Sequence, residues 1–363
     1  MVLRLLSEAC REGGTALNYA RVEALLTSRN GSVCGVALSD QSPHALGSLE
    51  LQARVVINAA GPWSDTLRAQ IEQPARLRPQ RGSHLIFPWE KLPLPHAVSL
   101  LHPKDNRAMF AMPWEGTTMI GTTDLDHPTP LDLGEPYCTQ AEVDYILDVA
   151  ASYFPSAQLN QADVLSSFAG LRPIIHGGAE DPSAASRKHV VWEENDLITI
   201  TGGKLTIFRK MAEDAMQKAA RRLGLSLNTH IRYFDALPKP NGAQNVEVDS
   251  TLRCALGGKY GFELPELLNI ARPGELNSVQ GLPTNRAELR YAARRESVQH
   301  LDDLLLRRTR LGLLLPDGAR AELPALQEVA REELGWDDAR WDAEVKRYTD
   351  IYERFYSPAP AGI

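Results

Sequence analysis

Apolar residues recur along this chain with two periods, and the places where the period changes divide it into parts. Residues 2–12 read as a helix with Leu3, Leu6 and Cys10 on one face, stopped at Gly13-Gly14. Extended segments follow from Leu17 and Tyr19, over Ser32–Leu38 and over Leu49–Ala53, separated by polar turns, which predicts a small antiparallel meander. In the run Arg54-Val55-Val56-Ile57-Asn58-Ala59-Ala60-Gly61-Pro62-Trp63, three β-branched residues predict a strand buried on both faces of a parallel sheet. The small residues at its end allow close backbone approach, at the end of the strand where open α/β sheets bind ligands. The same pattern would also serve a strand that merely turns into a helix. Arg81–Pro88, Arg107–Trp114 and Thr117–Asp124, divided by Pro-bearing loops, predict a second, mainly antiparallel sheet. A helix is expected over 140–152, and strands at Ser166–Ile174 and Ala185–Trp192.

The sharpest local signal is Leu197-Ile198-Thr199-Ile200-Thr201-Gly202-Gly203-Lys204-Leu205-Thr206. An apolar β run ends in two glycines and a lysine. A helical period then begins, with Phe208, Met211, Ala212, Ala215, Ala219 and Leu223 on one face and Gly224 as its stop. A strand, a glycine turn and a helix N-terminus expose free N–H groups suited to an anion, although a tight βα turn needs the same glycines for geometry alone. A nucleotide P-loop is excluded, because Ile198 and Leu205 stand where glycine and Ser/Thr would be needed. Beyond the Pro/Gly stretch 237–242 the chain turns helix-rich, with helices expected at 250–256, 265–270, 286–314, 321–333 and 341–356. On the long one, Arg294, Arg295, Arg307, Arg308 and Arg310 crowd the polar side, which reads as a solvated face or as a surface for acidic lipid or a partner.

Bulk properties narrow the function class. At 363 residues two domains are natural, and 43% hydrophobic with 23% charged residues is ordinary for a soluble globular chain. A net charge of -7 without basic–aromatic runs argues against a nucleic-acid binder. Cys10, Cys34, Cys138 and Cys254 lie far apart with no C-x-x-C, which predicts reduced thiols in a cytosolic setting and neither disulfides nor a metal site. No apolar run reaches the length of a membrane span, and no signal peptide is read at Met1. His84 is placed at the start of a strand, as a surface or core residue or as a catalytic one. Arg172 and Arg187, each beside apolar neighbours and preceding the Gly-Gly-Lys turn, suggest a forked grip on an anion.

Taken together, Asn58–Trp63, Arg81-Gly82-Ser83-His84, Ile120-Gly121-Thr122-Thr123-Asp124, Gly170-Leu171-Arg172-Pro173 and Gly202–Thr206 resemble, in order and spacing, the FAD-dependent glycerol-3-phosphate dehydrogenases of the glycine-oxidase-like flavoproteins. Ala287–Tyr291 and Leu305–Thr309 resemble that family's C-terminal helical domain. The resemblance implies an α/β plus α+β fold: the remainder of a Rossmann-like FAD-binding domain, an antiparallel-sheet substrate domain and a C-terminal helical domain. The expected limits are 1–236 for the oxidoreductase domain, with its substrate sheet at about 77–192, and 243–356 for the helical one. It implies oxidation of sn-glycerol 3-phosphate to dihydroxyacetone phosphate, with FAD as cofactor and quinone as acceptor. Location would be cytoplasmic with peripheral contact at the inner membrane, and a homodimer is compatible. Site expectations are His84 and Lys204 as catalytic residues and Arg172 and Arg187 on the substrate phosphate. Asn58, Ala59, Gly61, Trp63, Gly202, Gly203, Lys204, Leu205 and Thr206 are expected along the cofactor. The family's G-x-G-x-x-G, which holds the FAD pyrophosphate, is not present in this sequence, so the chain is expected to be the C-terminal portion of such an enzyme. An amino-acid oxidase of the same superfamily, a non-catalytic remnant and a partner-docking fragment stay open as alternatives.

Overall fold

The structure is a computed structural model that describes residues 1–128, 135–176, 188–227 and 248–358. After helix α1 (Val2–Arg11), strands β1 (Ala20–Thr27), β2 (Val33–Asp40) and β3 (Ser48–Gln52) form the expected antiparallel meander. Strand β4 (Val56–Asn58) pairs in parallel with β12 (Leu197–Gly202), which β11 (His189–Glu194) flanks antiparallel. Helix α2 (Ser64–Ala69) follows β4, and helix α4 (Phe208–Leu223) follows β12.

The expectation that the Val-Val-Ile strand is buried on both faces is corrected. Only Asn58 of β4 is buried and Ile57 is 38% exposed. Among the described residues no strand pairs with the outer edge of β4. Parallel strands normally lie covered on both faces, and here the local core is small: buried Val33, Ile71 and Leu197, with Leu25 and Val56 against them.

The second sheet is larger. Strands β5 (Leu77–Pro88), β6 (Val98–Leu101), β7 (Ala108–Trp114), β8 (Thr117–Gly121) and β10 (Ser166–Ile175) run in the order β10-β5-β8-β7-β6, and the short β9 (Leu125–Asp126) pairs with β5. Helix α3 (Gln140–Tyr153) lays Val143, Ile146, Val149 and Ala150 against Leu85, Phe87, Leu100, Met109, Ala111 and Ile120. Because β5 starts at Leu77, His84 sits inside a central strand, opposite Phe168 on β10 and Gly121 on β8, and not at a strand start.

The C-terminal part holds α5 (Ser250–Tyr260), α6 (Leu264–Ile270), α7 (Arg286–Arg295), α8 (Leu311–Leu314), α9 (Leu323–Leu334) and α10 (Asp338–Ile351). The single helix expected over 286–314 is three pieces, α7, a wide π-type turn at 303–308 and α8, with Ser297 and Arg310 at positive φ. Buried carboxylates stabilise the break. Asp303 accepts the N–H groups of Gln299 (2.9 Å) and His300 (3.1 Å), and Glu344 accepts that of Leu301 (3.0 Å). The arginines of this stretch are paired, not merely solvated. Arg294 meets Glu333, Arg295 meets Glu266, Arg307 meets Asp302 and Glu135, and Arg310 meets Glu115, while Arg308 donates to the Glu296 carbonyl. The domain boundary expected at 237–242 lies outside the described residues.

Candidate functional site

Two turns at the C-terminal end of the parallel pair form one half of the site. After β12, Gly202 (φ +76°) and Gly203 (φ +73°) take left-handed conformations that L side chains rarely adopt. A Cβ on Gly202 would lie 2.6 Å from the Lys188 carbonyl, so that position disfavours a side chain on both counts, whereas one on Gly203 would press on the adaptable Met211 side chain (2.6 Å from its sulfur), so there the positive φ is the stronger reason for glycine. A short 3₁₀ turn, Leu205–Ile207, then leads into α4, and its leading N–H groups have no earlier carbonyls of their own helix to meet. Lys204, Leu205 and Thr206 are exposed there. After β4, Asn58 turns its side chain inward. Its Nδ2 donates to the Ser64 carbonyl at 3.0 Å and to Thr199 Oγ1 at 3.4 Å, and its Oδ1 accepts from Ala60 N at 3.2 Å. Asn58 therefore shapes the turn, while Ala59 and Gly61 present the surface. Trp63 closes that turn, half-buried.

Between the two turns and α4 lies a mostly apolar cavity of about 390 Å³, lined among others by Ile57, Ala59, Gly61, Ile200, Gly202 and Met211. Pro173 lines it as well, which brings the residue next to Arg172 against the glycine turn.

The other half lies on the second sheet, where two glycines make room for two candidate side chains. A Cβ on Gly82 would fall 2.1 Å from the Arg172 guanidinium, and one on Gly121 would fall 2.4 Å from the His84 ring. Arg172 is steered by Thr122 Oγ1 (2.9 Å), the Asp124 carboxylate (3.2 Å) and the Thr123 carbonyl (3.4 Å). Its side chain keeps 26% exposure, while Asp124 is buried and its own carbonyl is held by Arg107. His84 stacks on Phe168 with ring centroids 4.8 Å apart, and its buried Nδ1 has no hydrogen-bond partner. Burial, followed by the nearby Arg172 charge, pushes the imidazole down to about 4, so the ring is neutral at ordinary pH, and an anion bound on Arg172 would offset part of that shift and make the ring a better base.

Of the expected residues, His84 and Arg172 share this pocket, and Ala59, Gly61 and Gly202 line the neighbouring cavity. Arg187 lies outside the described residues. Sequence reasoning passed over Glu142, which sits directly behind the pocket. Its one readable signal was Thr139-x-x-Glu142, a capping-box spacing that marks the start of α3. That spacing gives no hint of the carboxylate's partners on β5 and beside β8.

Comparison with known proteins fits this geometry. Residues 1–209 match the family model described as FAD dependent oxidoreductase, and residues 234–341 match that of the C-terminal domain of alpha-glycerophosphate oxidase. Aerobic glycerol-3-phosphate dehydrogenases of Staphylococcus aureus strains USA300 and MRSA252 are 32% identical over 333 residues, covering 85% of this chain. The chain spans only 59% of the length of those curated relatives. The crystal structure of the Bacillus halodurans glycerol-3-phosphate dehydrogenase complexed with FAD superposes with a TM-score of 0.75 at 29% identity, over 99% of this chain and 73% of that one.

Proposed function

The chain belongs to the FAD dependent oxidoreductase family, and from that premise we propose that it forms the substrate side of a flavoenzyme oxidising sn-glycerol 3-phosphate to dihydroxyacetone phosphate. The observation that carries this reading is the half-open Arg172 guanidinium beside a neutral, unpartnered His84. A planar, fixed cation suits a phosphate, and a neutral imidazole suits the proton of a secondary alcohol.

The residues present fit one end of FAD. The Gly202–Gly203 turn, the N–H groups leading into α4 and the apolar cavity would accept the flavin ring, with Lys204 adding positive charge. For the pyrophosphate end the 363 residues offer no G-x-G-x-x-G. When bound, FAD supplies the acceptor for the hydride that leaves C2. The protein's own part is to fix the phosphate through Arg172, joined by Arg187, and to take the 2-hydroxyl proton on His84. Fixing the far end of the substrate holds C2 in register for that transfer. A quinone as the next acceptor, contact with a membrane surface and dimerisation belong to the same reading and rest on the family resemblance. No helix among the described residues is long and apolar enough to cross a membrane. A second reading, a chain that holds FAD too weakly to turn over, is favoured by the thin core around β4 and the exposed Ile57.

The absorption spectrum of the purified chain with added FAD tests both. Protein-bound flavin bleached by glycerol 3-phosphate under anaerobic conditions is the expected result, and Arg172→Ala should raise the half-bleaching concentration about 10- to 100-fold. A protein that retains no flavin, or flavin that glycerol 3-phosphate leaves oxidised, overturns catalysis by this chain. An Arg172→Ala variant with unchanged dependence on substrate removes Arg172 from the anchor.

A further inference from the structure

Behind the pocket, α3 buries a carboxylate among an unusual number of donors. Glu142 is 2% exposed. Its Oε1 accepts from Thr123 Oγ1 at 2.7 Å and Ser83 Oγ at 2.8 Å. Its Oε2 accepts from Thr139 Oγ1 at 2.8 Å, Thr139 N at 3.0 Å and the Arg81 guanidinium at 2.8 Å. Burial pushes this carboxyl up, but the hydrogen bonds from Thr139, Thr123 and Ser83 and the Arg81 charge outweigh it and hold it below the usual carboxylate range.

The residues so tied are neighbours of the functional ones on both strands. Ser83 stands between Gly82, over which Arg172 lies, and His84. Thr123 stands between Thr122 and Asp124, the two side chains that steer Arg172, and its own carbonyl also accepts from Arg172. Thr123 Oγ1 further accepts from Ser83 N at 2.9 Å, which closes the link between the strands. One carboxylate thus fixes the β5 segment under Arg172 and the segment after β8 that aims it, without facing the pocket itself.

We propose that Glu142 is the positioning residue of the anion pocket, setting the affinity of Arg172 for phosphate by locking Ser83 and Thr123 into one register. This rests on reading the pocket as a phosphate site. Thr139 N and Arg81 can only donate, so an amide in place of the carboxylate keeps its oxygen toward them and turns its NH₂ to the Ser83 and Thr123 hydroxyls, which can accept it only by swinging their own protons away. The shape of the side chain is kept, but both hydroxyl ties are reversed and Arg81 loses the charge of its Glu142 partner.

The test is calorimetric titration of the whole chain with sn-glycerol 3-phosphate and, separately, with inorganic phosphate. Glu142→Gln should weaken binding of both by about tenfold, the consequence of replacing charge-assisted bonds from Ser83, Thr123 and Arg81 by neutral ones with the hydroxyl protons displaced. Ser83→Ala, a milder change that removes a single tie, should weaken it severalfold and stands in if Glu142→Gln does not fold. Val143→Ala serves as the control, since it opens a cavity on the same helix without touching the carboxylate. A merely structural role predicts that Glu142→Gln and Val143→Ala lower affinity alike for a given loss of melting temperature. The proposal predicts that only the Glu142 and Ser83 variants do. Wild-type chain that binds neither ligand overturns the phosphate-site reading, and the proposal with it. Wild-type binding that Arg172→Ala abolishes, while Glu142→Gln and Ser83→Ala leave it intact, overturns the positioning role alone.

Discussion

The charge state of His84 follows from where its ring lies. The imidazole stacks on Phe168 above a glycine, largely shielded from water and beside Arg172, and its folded pKa falls to about 4. An unfolded histidine titrates near 6.5. Between those values the unfolded chain binds a proton that the folded one does not. His84 therefore leaves the fold fully stable above about pH 6.5 and weakens it as pH falls toward 4, by roughly 3 kcal/mol in all. His84→Gln should flatten the urea stability of the chain across that window, and an unchanged slope would show that the ring is protonated in the fold. The same crowding makes Gly121 a specificity point for the ring. Gly121→Ala places a methyl 2.4 Å from the His84 Cδ2, so it should lower stability by about 1–3 kcal/mol and displace the imidazole, read by denaturation and by the His84 NMR shifts.

At the scale of elements, the passage from the parallel pair to the second sheet depends on Arg68. This fully buried guanidinium on α2 meets Asp65 in its own helix, Glu194 at the end of β11 (2.8 Å) and the Pro74 carbonyl (2.9 Å), and it stacks 4.5 Å over Trp192. Asp65 in turn accepts the N–H groups of Arg76 (2.7 Å) and Leu77 (2.8 Å), where β5 begins. One ion-pair cluster thus sets how β5 leaves the first layer, and β5 carries His84. Breaking it should be costly, because Asp65 would lose its counter-charge and Glu194 would keep only the more exposed Arg76. Arg68→Met should destabilise the chain by about 3–5 kcal/mol in chemical denaturation, and a loss below about 1 kcal/mol would mean that the cluster is dispensable.

Across the whole molecule, charged contacts join the helical part to the rest. Tyr19 donates to Asp303 at 3.0 Å, Arg307 pairs with Glu135 at 2.9 Å, and Arg4 of α1 reaches the Gly258 carbonyl at 3.0 Å. Near α1 and α7, burial pushes the Glu296 carboxyl up to about 7, in spite of the attraction of Arg308 and Lys259. Here the folded chain holds a proton that the unfolded chain, titrating near 4.5, has already lost. The contribution is present below about pH 4.5 and is lost as pH rises through 7, opposite in slope to that of His84. Glu296→Gln should therefore raise the melting temperature at pH 8 and leave it nearly unchanged at pH 4. No gain at pH 8 would place the carboxylate in solvent.

Much of this was readable along the chain. The meander, the antiparallel sheet, helix α3 and the Gly202-Gly203 turn follow from periodicity and glycine placement, which are local properties. His84 and Arg172 could be named as candidates through short motifs, and the helical character of the last third was legible too, but that the two side chains lie side by side was not. The sequence by itself determined these because hydrophobic spacing and backbone freedom act over a few residues. Only the tertiary structure decided what each charged group meets. Glu142 finds Ser83 59 residues away and Thr123 19 residues away, and Arg68 finds Glu194 126 residues away. The expected long helix broke at 296–302 because buried Asp303 and Glu344 offered its N–H groups better partners than the preceding turn. The β4 run, apolar enough for a buried strand, stayed half-covered because burial depends on what packs alongside, and a strand's own residues do not encode its neighbour.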